Sequence, residues 1–406
     1  MVPDGWKVCQ VGEIARVIRG ASPRPKGDPR YYGGKVPRLM VSDVTRDGKY
    51  VTPKTDFLTE EGAKLSRPMP AGSLTVVCSG TVGVPSFLAV DACIHDGFLA
   101  LDNISDTCDK EYLYYTFSRL QQDFDSAATH GGVFTNLTTE ILRTFKIPLP
   151  TVPEQKKIAA ILSSVDEAIA STQAVIDQTR KVKQRLLQQL LTRGIGHTRF
   201  KESAIGEIPV TWEVDELAKV ARVIDCKHRT PEYIESGFPV VRPRDIKEGA
   251  LDLSGCLQTT KEDYEDLIEN HCPSVGDVIY SRNATFGVAA IVETNEPFTV
   301  GQDVCIIVGK ILIGRLLFYL LNSRIIKLQI DKLSAGSTFQ RINLKDIRRF
   351  LVPVIPEDEQ KEIVTIADSI TEEIKTSEAQ LHHLYEIKRG LMQDLLTGKV
   401  RVGCIS

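Results

Sequence analysis

Residues Val152–Ile195, VPEQKKIAAILSSVDEAIASTQAVIDQTRKVKQRLLQQLLTRGI, decide how the chain is organised, because they occur twice. Displaced by 205 positions the pattern returns as Asp358–Val400, DEQKEIVTIADSITEEIKTSEAQLHHLYEIKRGLMQDLLTGKV. Matched pairs include Gln155/Gln360, Ile158/Ile363, Ile169/Ile374, Lys183/Lys388, Leu186/Leu391 and Leu190/Leu395. Apolar or small residues recur three or four apart, which predicts a helix in each copy. Each spans roughly 38 residues, about 57 Å at 1.5 Å per residue. So narrow a stripe on so long a helix cannot be buried alone, and the natural partner is the other copy. The expected seam runs through Ile158, Leu162, Val165, Ile169, Ile176, Leu186 and Leu190 on one helix. On the other it runs through Ile363, Ile370, Ile374, Leu381, Leu391 and Leu395, with Lys183 and Lys388 interrupting both at one register position.

The repeat continues outward. Pro3–Ile18 matches Pro209–Ile224, pairing Trp6 with Trp212 and Ala15–Ile18 with Ala221–Ile224. Val36–Gly48 parallels Phe238–Gly249, Ala71–Val90 parallels Val275–Val292, and Thr129–Pro150 parallels Ser334–Ile355. A period near 205 residues means duplicated domains rather than a short-repeat solenoid. Within each globular unit Leu74–Val77, Phe87–Val90, Val278–Tyr280 and Val288–Val292 read as strands. Glu111–Asp123 and Ile313–Lys332 read as helices.

At 406 residues the chain can bury two sizeable cores. A formal net charge of −3 neither demands nor excludes nucleic acid. Nine cysteines without a C-x-x-C pair suit free thiols in a reducing compartment. The start MVPDGWKVCQ has no apolar h-region, so no signal peptide is expected. The most apolar run, Cys305–Leu321, is too short and too charged to span a bilayer. The expectation is a soluble cytoplasmic protein with no membrane partner.

No catalytic signature emerges. Phosphate-binding G-x-x-x-x-G-K-[ST], G-x-S-x-G, H-E-x-x-H and G-x-G-x-x-G are all missing from the sequence, as is a methyltransferase-like Asn/Asp-Pro-Pro-aromatic tetrapeptide. Glu359-Gln360-Lys361 imitates a nuclease-type Glu-x-Lys, but Glu154-Gln155-Lys156 repeats it at the other helix start. There an acidic residue offsets the helix dipole. The seven histidines form no ligand pattern, so no metal site is expected.

Local charge is more informative. Ile14–Tyr50 holds nine Lys/Arg against three Asp/Glu, and Asn322–Arg349 holds seven against two. Basic stretches in a slightly acidic chain are expected where one surface meets phosphate, although a solvated face would look the same. The loops VRPRDIK (Val241–Lys247), YSRNATF (Tyr280–Phe286) and STFQRIN (Ser337–Asn343) add Arg, Asn and Gln. Those side chains suit base edges, while Lys and Ser/Thr suit phosphate.

These features together resemble the specificity subunit of type I restriction–modification enzymes. The resemblance is carried by the proline-led E-Q-x-x-I helix starts (Pro150–Ile158, Pro353–Ile363) and the L-x-x-x-L-L-T endings (Leu186–Gly194, Leu391–Lys399). It is carried too by P-x-x-W-x-V at both unit starts, S-R-x-x-T-x-G at Ser281–Gly287, and DCKHRTP at Asp225–Pro231. The first unit departs from it: CSGTVG (Cys78–Gly83) lacks the arginine that stands at position 282.

The resemblance implies an α+β tandem duplication. Two mixed α/β target recognition domains (1–150 and 196–355) alternate with two helical segments (151–195 and 356–406). The helices pair as an antiparallel coiled coil with pseudo-twofold symmetry. It implies a non-catalytic subunit that reads the two halves of a split site in double-stranded DNA. No cofactor is expected in this chain. The implied partners are two modification subunits that use S-adenosylmethionine, with two restriction subunits that use ATP and Mg as an additional option. The expected DNA-contacting residues of the first domain are Arg24, Lys26, Arg38, Arg46, Ser79, Thr81, Thr135 and Asn136. In the second they are Lys227, His228, Arg229, Arg242, Arg244, Arg282, Asn283, Thr285, Ser337, Thr338, Gln340 and Arg341. Two rivals stay open: a nuclease or methyltransferase in its own right, and a coiled-coil adaptor without base-specific binding.

Overall fold

The computed structural model describes residues 3–131, 134–283, 287–334 and 341–402. The chain forms two compact units, Met1–Gln173 with Ala379–Ser406, and Ala174–Glu378. The long helices are Val152–Arg193 and Glu357–Leu395, and each gives one end to each unit.

In the first unit a five-stranded sheet has the order Arg16–Arg19, Phe98–Asp102, Leu74–Val77, Pro85–Leu88, Tyr50–Val51. The second unit repeats that order as Ala221–Asp225, Val304–Gly309, Val278–Ser281, Ala289–Ile291, Gly249–Ala250. These sheets are covered on both faces, which is why the central strands read as unbroken apolar runs. In the first unit Leu74, Val76, Leu99 and Leu101 pack with Phe117 and Phe124, while Val77, Phe98 and Ala100 face Leu39 and Ile94. In the second, Val278 and Tyr280 pack with Leu316 and Leu320, while Ile279 and Ile306 face Val241 and Val300. A four-stranded sheet beside each five-stranded one shares a three-strand arrangement. Tyr32–Leu39 lies between Asp56–Leu58 and Ala92–Ile94, and Phe238–Val241 lies between Leu257–Thr259 and Thr299–Val300. The fourth strand sits on opposite edges, Arg67–Met69 beside Ala92–Ile94 but Tyr233–Ile234 beside Leu257–Thr259.

The two predicted single helices are each broken in two. Lys110–Arg119 is followed by Gln121–Ala127, and Gly314–Asn322 by Arg324–Ser334. The second break falls at Ser323, whose backbone is extended (φ −76°, ψ 165°) and whose hydroxyl donates to Leu320 O at 2.6 Å. No proline or glycine marks it.

Within each unit the helices run antiparallel, since partner numbers rise on one as they fall on the other. Glu154 meets Arg401 and Asp166 meets Lys388 in the first unit; Arg180 meets Glu378 and Ile195 meets Glu359 in the second. Ile158, Leu162, Ile169, Ile176, Leu190, Ile363, Ile374 and Leu395 are buried. Val165, Leu186, Ile370, Leu381 and Leu391 are half-buried. Near its globular domain the seam is shared: Ile158, Leu162 and Leu395 pack with Trp6, Tyr112 and Tyr115, and Leu190 and Ile363 join the core containing Trp212.

Each helix start is pinned by the same residues. Trp6 Nε1 donates to Glu154 Oε2 at 3.1 Å, and Trp212 Nε1 to Glu359 Oε2 at 2.8 Å. These are first-turn acids, as the dipole argument expects, but their carboxylates are also engaged as acceptors within the fold. Arg401 forks onto Glu154 at 2.8 and 3.0 Å, whereas Glu359 faces His197 Nε2 and the Ile195 N–H, each at 2.9 Å. Gln155 and Gln360 are fully buried staples. Gln155 donates to Pro150 O (2.8 Å) and Thr107 O (3.0 Å) and accepts from Asp109 N (2.7 Å). Gln360 donates to Ile355 O (2.8 Å) and Ile311 O (3.1 Å) and accepts from Ile313 N (2.9 Å). Gly194 and Gly398, at φ +63° and +74°, close the opposite helix ends; a Cβ would strike Glu359, His197 and Trp212 at the first and Pro3 at the second, where it would also press on Trp6.

Candidate nucleic-acid interface

Both units build the same backbone frame at one end of the central sheet. In the first, Cys78 N donates to Gly97 O (2.8 Å) and Leu137 N donates to Cys78 O (2.9 Å). In the second, Arg282 N donates to Asp303 O (2.9 Å) and Ile342 N to Arg282 O (2.8 Å). The next residues form matching bridges, Ser79 with Asn136 and Asn283 with Arg341. Cys78 and Arg282 therefore occupy one structural position. Arg19 and Asp225 share another, since they sit opposite Leu99 and Cys305, which lie beside Val76 and Tyr280.

Around this frame the first unit opens a cleft of about 680 Å³. It gathers five expected contact residues, Arg24, Lys26, Arg38, Ser79 and Asn136, together with Arg19, His95 and Asp96, which sequence reasoning did not single out. Arg24 and Lys26 are exposed. Arg38 differs from the surface contact expected of it. It is 5% exposed, bonded to Asp56 Oδ2 at 2.6 Å and Ser22 Oγ at 3.0 Å, and it lies over the Tyr32 ring. At the floor Gly97 N donates to His95 Nδ1 at 2.8 Å, which puts the ring proton on Nε2. Burial pushes the His95 pKa down, so the ring is neutral. Asp96 keeps a lowered pKa: burial raises it, but the Ser22 hydroxyl, a backbone N–H and the Arg24 guanidinium outweigh that.

Arg46 and Thr81 lie outside this cleft lining. Arg46 is held by Asp43 (2.9 Å), Asp47 (2.6 Å) and Thr52 O (2.8 Å), and its fork draws the Asp47 carboxyl pKa down to about 2. Thr81 is exposed. Thr135 belongs to the strand Phe134–Asn136, but its side chain lies outside the described residues.

In the second unit the expected cations are paired. Lys227 bridges Asp266 (2.7 Å) and Glu269 (2.6 Å), and Arg229 binds Asp263 and Asp266. His228 faces Asp225 at 3.1 Å, and Arg242 forks onto Asp245 at 2.8 and 3.0 Å. Arg244 is largely exposed. Arg341 pairs with Asp303 Oδ1 at 2.7 Å, and Asn283 Nδ2 donates to Asp303 Oδ2 at 3.2 Å. Arg282, expected at the surface, is 4% exposed. It bonds Asp225 Oδ1 at 2.7 Å and Ile342 O at 3.2 Å, and so holds the loop in place from inside. Thr285, Ser337, Thr338 and Gln340 lie outside the described residues.

Among the described residues no group of three or more His, Cys, Asp or Glu is placed to hold a metal ion, and no helix is long and apolar enough to cross a membrane. Burial pushes the Cys78 thiol up to about 11 and the Cys108 thiol up to about 12, so neither is a thiolate nucleophile at neutral pH.

Comparison with known proteins agrees with this arrangement. The chain is 26% identical to the type I restriction enzyme MjaVIII specificity subunit of Methanocaldococcus jannaschii, over 99% of this chain and 94% of that one. It is 22% identical to the EcoKI specificity subunit of Escherichia coli, over 98% and 89%. The fold matches a chain from a structural study of complex assembly and conformational transition of the type I R-M system, with a TM-score of 0.64 and 17% identity over 98% and 100% of the two chains. It also matches the type I restriction–modification S subunit from M. genitalium, with a TM-score of 0.58 and 15% identity over 97% and 96%. The family model described as the type I restriction modification DNA specificity domain matches twice, at residues 3–179 and 209–384, once over each copy of the repeat. With both copies matched, the chain belongs to the type I restriction–modification DNA specificity family.

Proposed function

We propose that this chain is the non-catalytic, DNA-reading subunit of a type I restriction–modification complex, each globular domain reading one half of a split, asymmetric site in double-stranded DNA. The observation that carries the reading is the repeated frame, one fold presenting different side chains in its two copies. That is what an asymmetric bipartite site requires. The domains are 1–150 and 196–355, and the helical segments 151–195 and 356–406 set the gap between the half-sites. Recognition then depends on groove phase, because B-DNA repeats every 10–10.5 bp.

The partners are two modification subunits, which bring S-adenosylmethionine, and restriction subunits with ATP and Mg where cleavage occurs. This chain needs no cofactor of its own and works in the cytoplasm, where the DNA is. The helices differ in charge: Glu154–Arg193 carries seven basic and four acidic residues, Ile355–Thr397 four and ten. Their outer faces therefore offer different docking surfaces to the modification subunits.

An adaptor without base-specific binding draws support from the second unit, where Lys227, Arg229, Arg242 and Arg341 are already paired with acids. One experiment separates the readings. The chain is co-expressed with its modification subunit in a methylation-free host, and the genome is mapped for modified bases. A split motif with a fixed gap is expected. Absence of methylation from a stable complex would favour the adaptor, and a continuous motif would remove the two-reader arrangement.

A further inference from the structure

The cleft of the first unit holds a cation and a carboxylate with unused atoms in the same space. Arg19 spends one nitrogen on the fold: Nε donates to Asp96 O at 2.9 Å. Among the described residues its terminal nitrogens have no hydrogen-bond or ion-pair partner, and the side chain is exposed. The Asp96 side chain is half exposed. The Ser22 hydroxyl donates to its Oδ1, while Oδ2 has only Arg24 at 3.8 Å. The backbone bond ties guanidinium and carboxylate to the same short segment, so they approach a ligand together.

A lone phosphate would be drawn to Arg19 but repelled by Asp96. A base pair resolves that conflict. In the major groove guanine offers two acceptors, O6 and N7, and its cytosine offers an N4 amine donor. A guanidinium end and a carboxylate side by side complement those groups. Adenine–thymine fits worse, because Asp96 could take the adenine amine only where Arg19 found no matching pair of acceptors.

Resting on the DNA-reading function above, we propose that Arg19 and Asp96 together read one G·C pair in the half-site of the first unit. Arg19 places its two terminal nitrogens on guanine O6 and N7, and Asp96 Oδ2 accepts from the cytosine amine. The second unit lacks this contact. Asp225 stands where Arg19 stands, with its carboxylate turned to Arg282 inside the fold.

The test uses the chain assembled with its modification subunit, mapped as above and assayed for binding to duplexes carrying each base pair in turn. The wild type should require G·C at one position of one half. Arg19→Ala and Arg19→Lys should both relax that position, since lysine keeps the charge but loses the fork. Discrimination there should fall from roughly ten- to hundredfold to near one, with every other position unchanged. Asp96→Asn should weaken selectivity severalfold at the same pair. Lysine and asparagine variants keep the test alive if the alanine variant fails to assemble. The inference is overturned if no position relaxes. It is equally overturned if Arg19→Ala weakens all sequences alike and lowers the salt dependence by about one counterion, the signature of a phosphate contact. A wild-type complex that methylates no defined motif would instead defeat the DNA-reading function itself.

Discussion

Trp6, Glu154 and Gln155 in the first unit do what Trp212, Glu359 and Gln360 do in the second, down to the same three types of bond on each glutamine. A third shared contact is rearranged. Tyr115 bonds Asp166 and lies 3.1 Å from Ser163, whereas Tyr319 bonds Asp368 and lies 3.4 Å from Thr371. Ser163 aligns with Asp368 and Asp166 with Thr371, so acid and hydroxyl have exchanged places one helical turn apart. Both orders satisfy the tyrosine. At the cleft the exchange is not neutral. Cys78 and Arg19 of the first unit are replaced by Arg282 and Asp225, which moves the arginine from the surface to the interior and leaves a carboxylate where a free cation stood. The tryptophan, glutamate and glutamine at each helix start keep their chemistry between the copies, whereas the positions around the sheet-end frame diverge, Cys78 and Arg282 even in the interior.

The joint offers the largest effect for probing that contrast. Gln155→Ala would leave Thr107 O, Pro150 O and Asp109 N without the amide they now bond. Buried unpaired groups cost roughly 1–3 kcal/mol each, so with partial access of water the variant should lose about 3 kcal/mol. Gln360→Ala should cost the same within about 1 kcal/mol, because the orphaned groups are of the same kind. Denaturant unfolding of each variant checks this. A large loss for one and none for the other would break the equivalence of the joints.

At the cleft the copies should differ. Arg282→Ala removes a buried partner from Asp225, but that carboxylate is one-third exposed and still faces His228, so the expected cost is about 2 kcal/mol. Cys78→Ala, at the same position of the first unit, should cost under about 1 kcal/mol. Arg282→Ala should also loosen the whole second half-site rather than one base pair, since the side chain positions the loop. Relaxation at a single pair in the methylation map would instead make Arg282 a direct contact.

Much of the architecture was legible in the sequence. Two 205-residue repeats and two helices with a 3–4 stripe are long-range, redundant signals. The central strands announced themselves as apolar runs because both sheet faces are buried. The Lys388 interruption of the seam has an account only in three dimensions, where Asp166 meets it at 2.6 Å. Lys183, at the matching position, has its pKa lowered chiefly by burial and lies 6.0 Å from the Tyr319 ring centroid.

The site was less legible, for a consistent reason. Arg282 and Asp225 are 57 residues apart, Arg19 and Asp96 are 77 apart, and the glutamines bond main-chain groups at positions 107, 109, 311 and 313. A reading by residue type finds arginines but cannot tell one already spent on a carboxylate, such as Arg38 or Arg282, from one left open, such as Arg19. The one available signal for Arg19 was the alignment of the two copies, which sets it against Asp225.

The central claim is that paired helices set the gap between two independent readers. Inserting seven residues into each long helix, at facing positions near its middle, lengthens the pair by about 10 Å, roughly three base pairs at 3.4 Å each. The methylation motif of that variant is the decisive measurement. The account predicts unchanged half-site sequences separated by a gap about three base pairs longer. Methylation that persists at the original gap would contradict it.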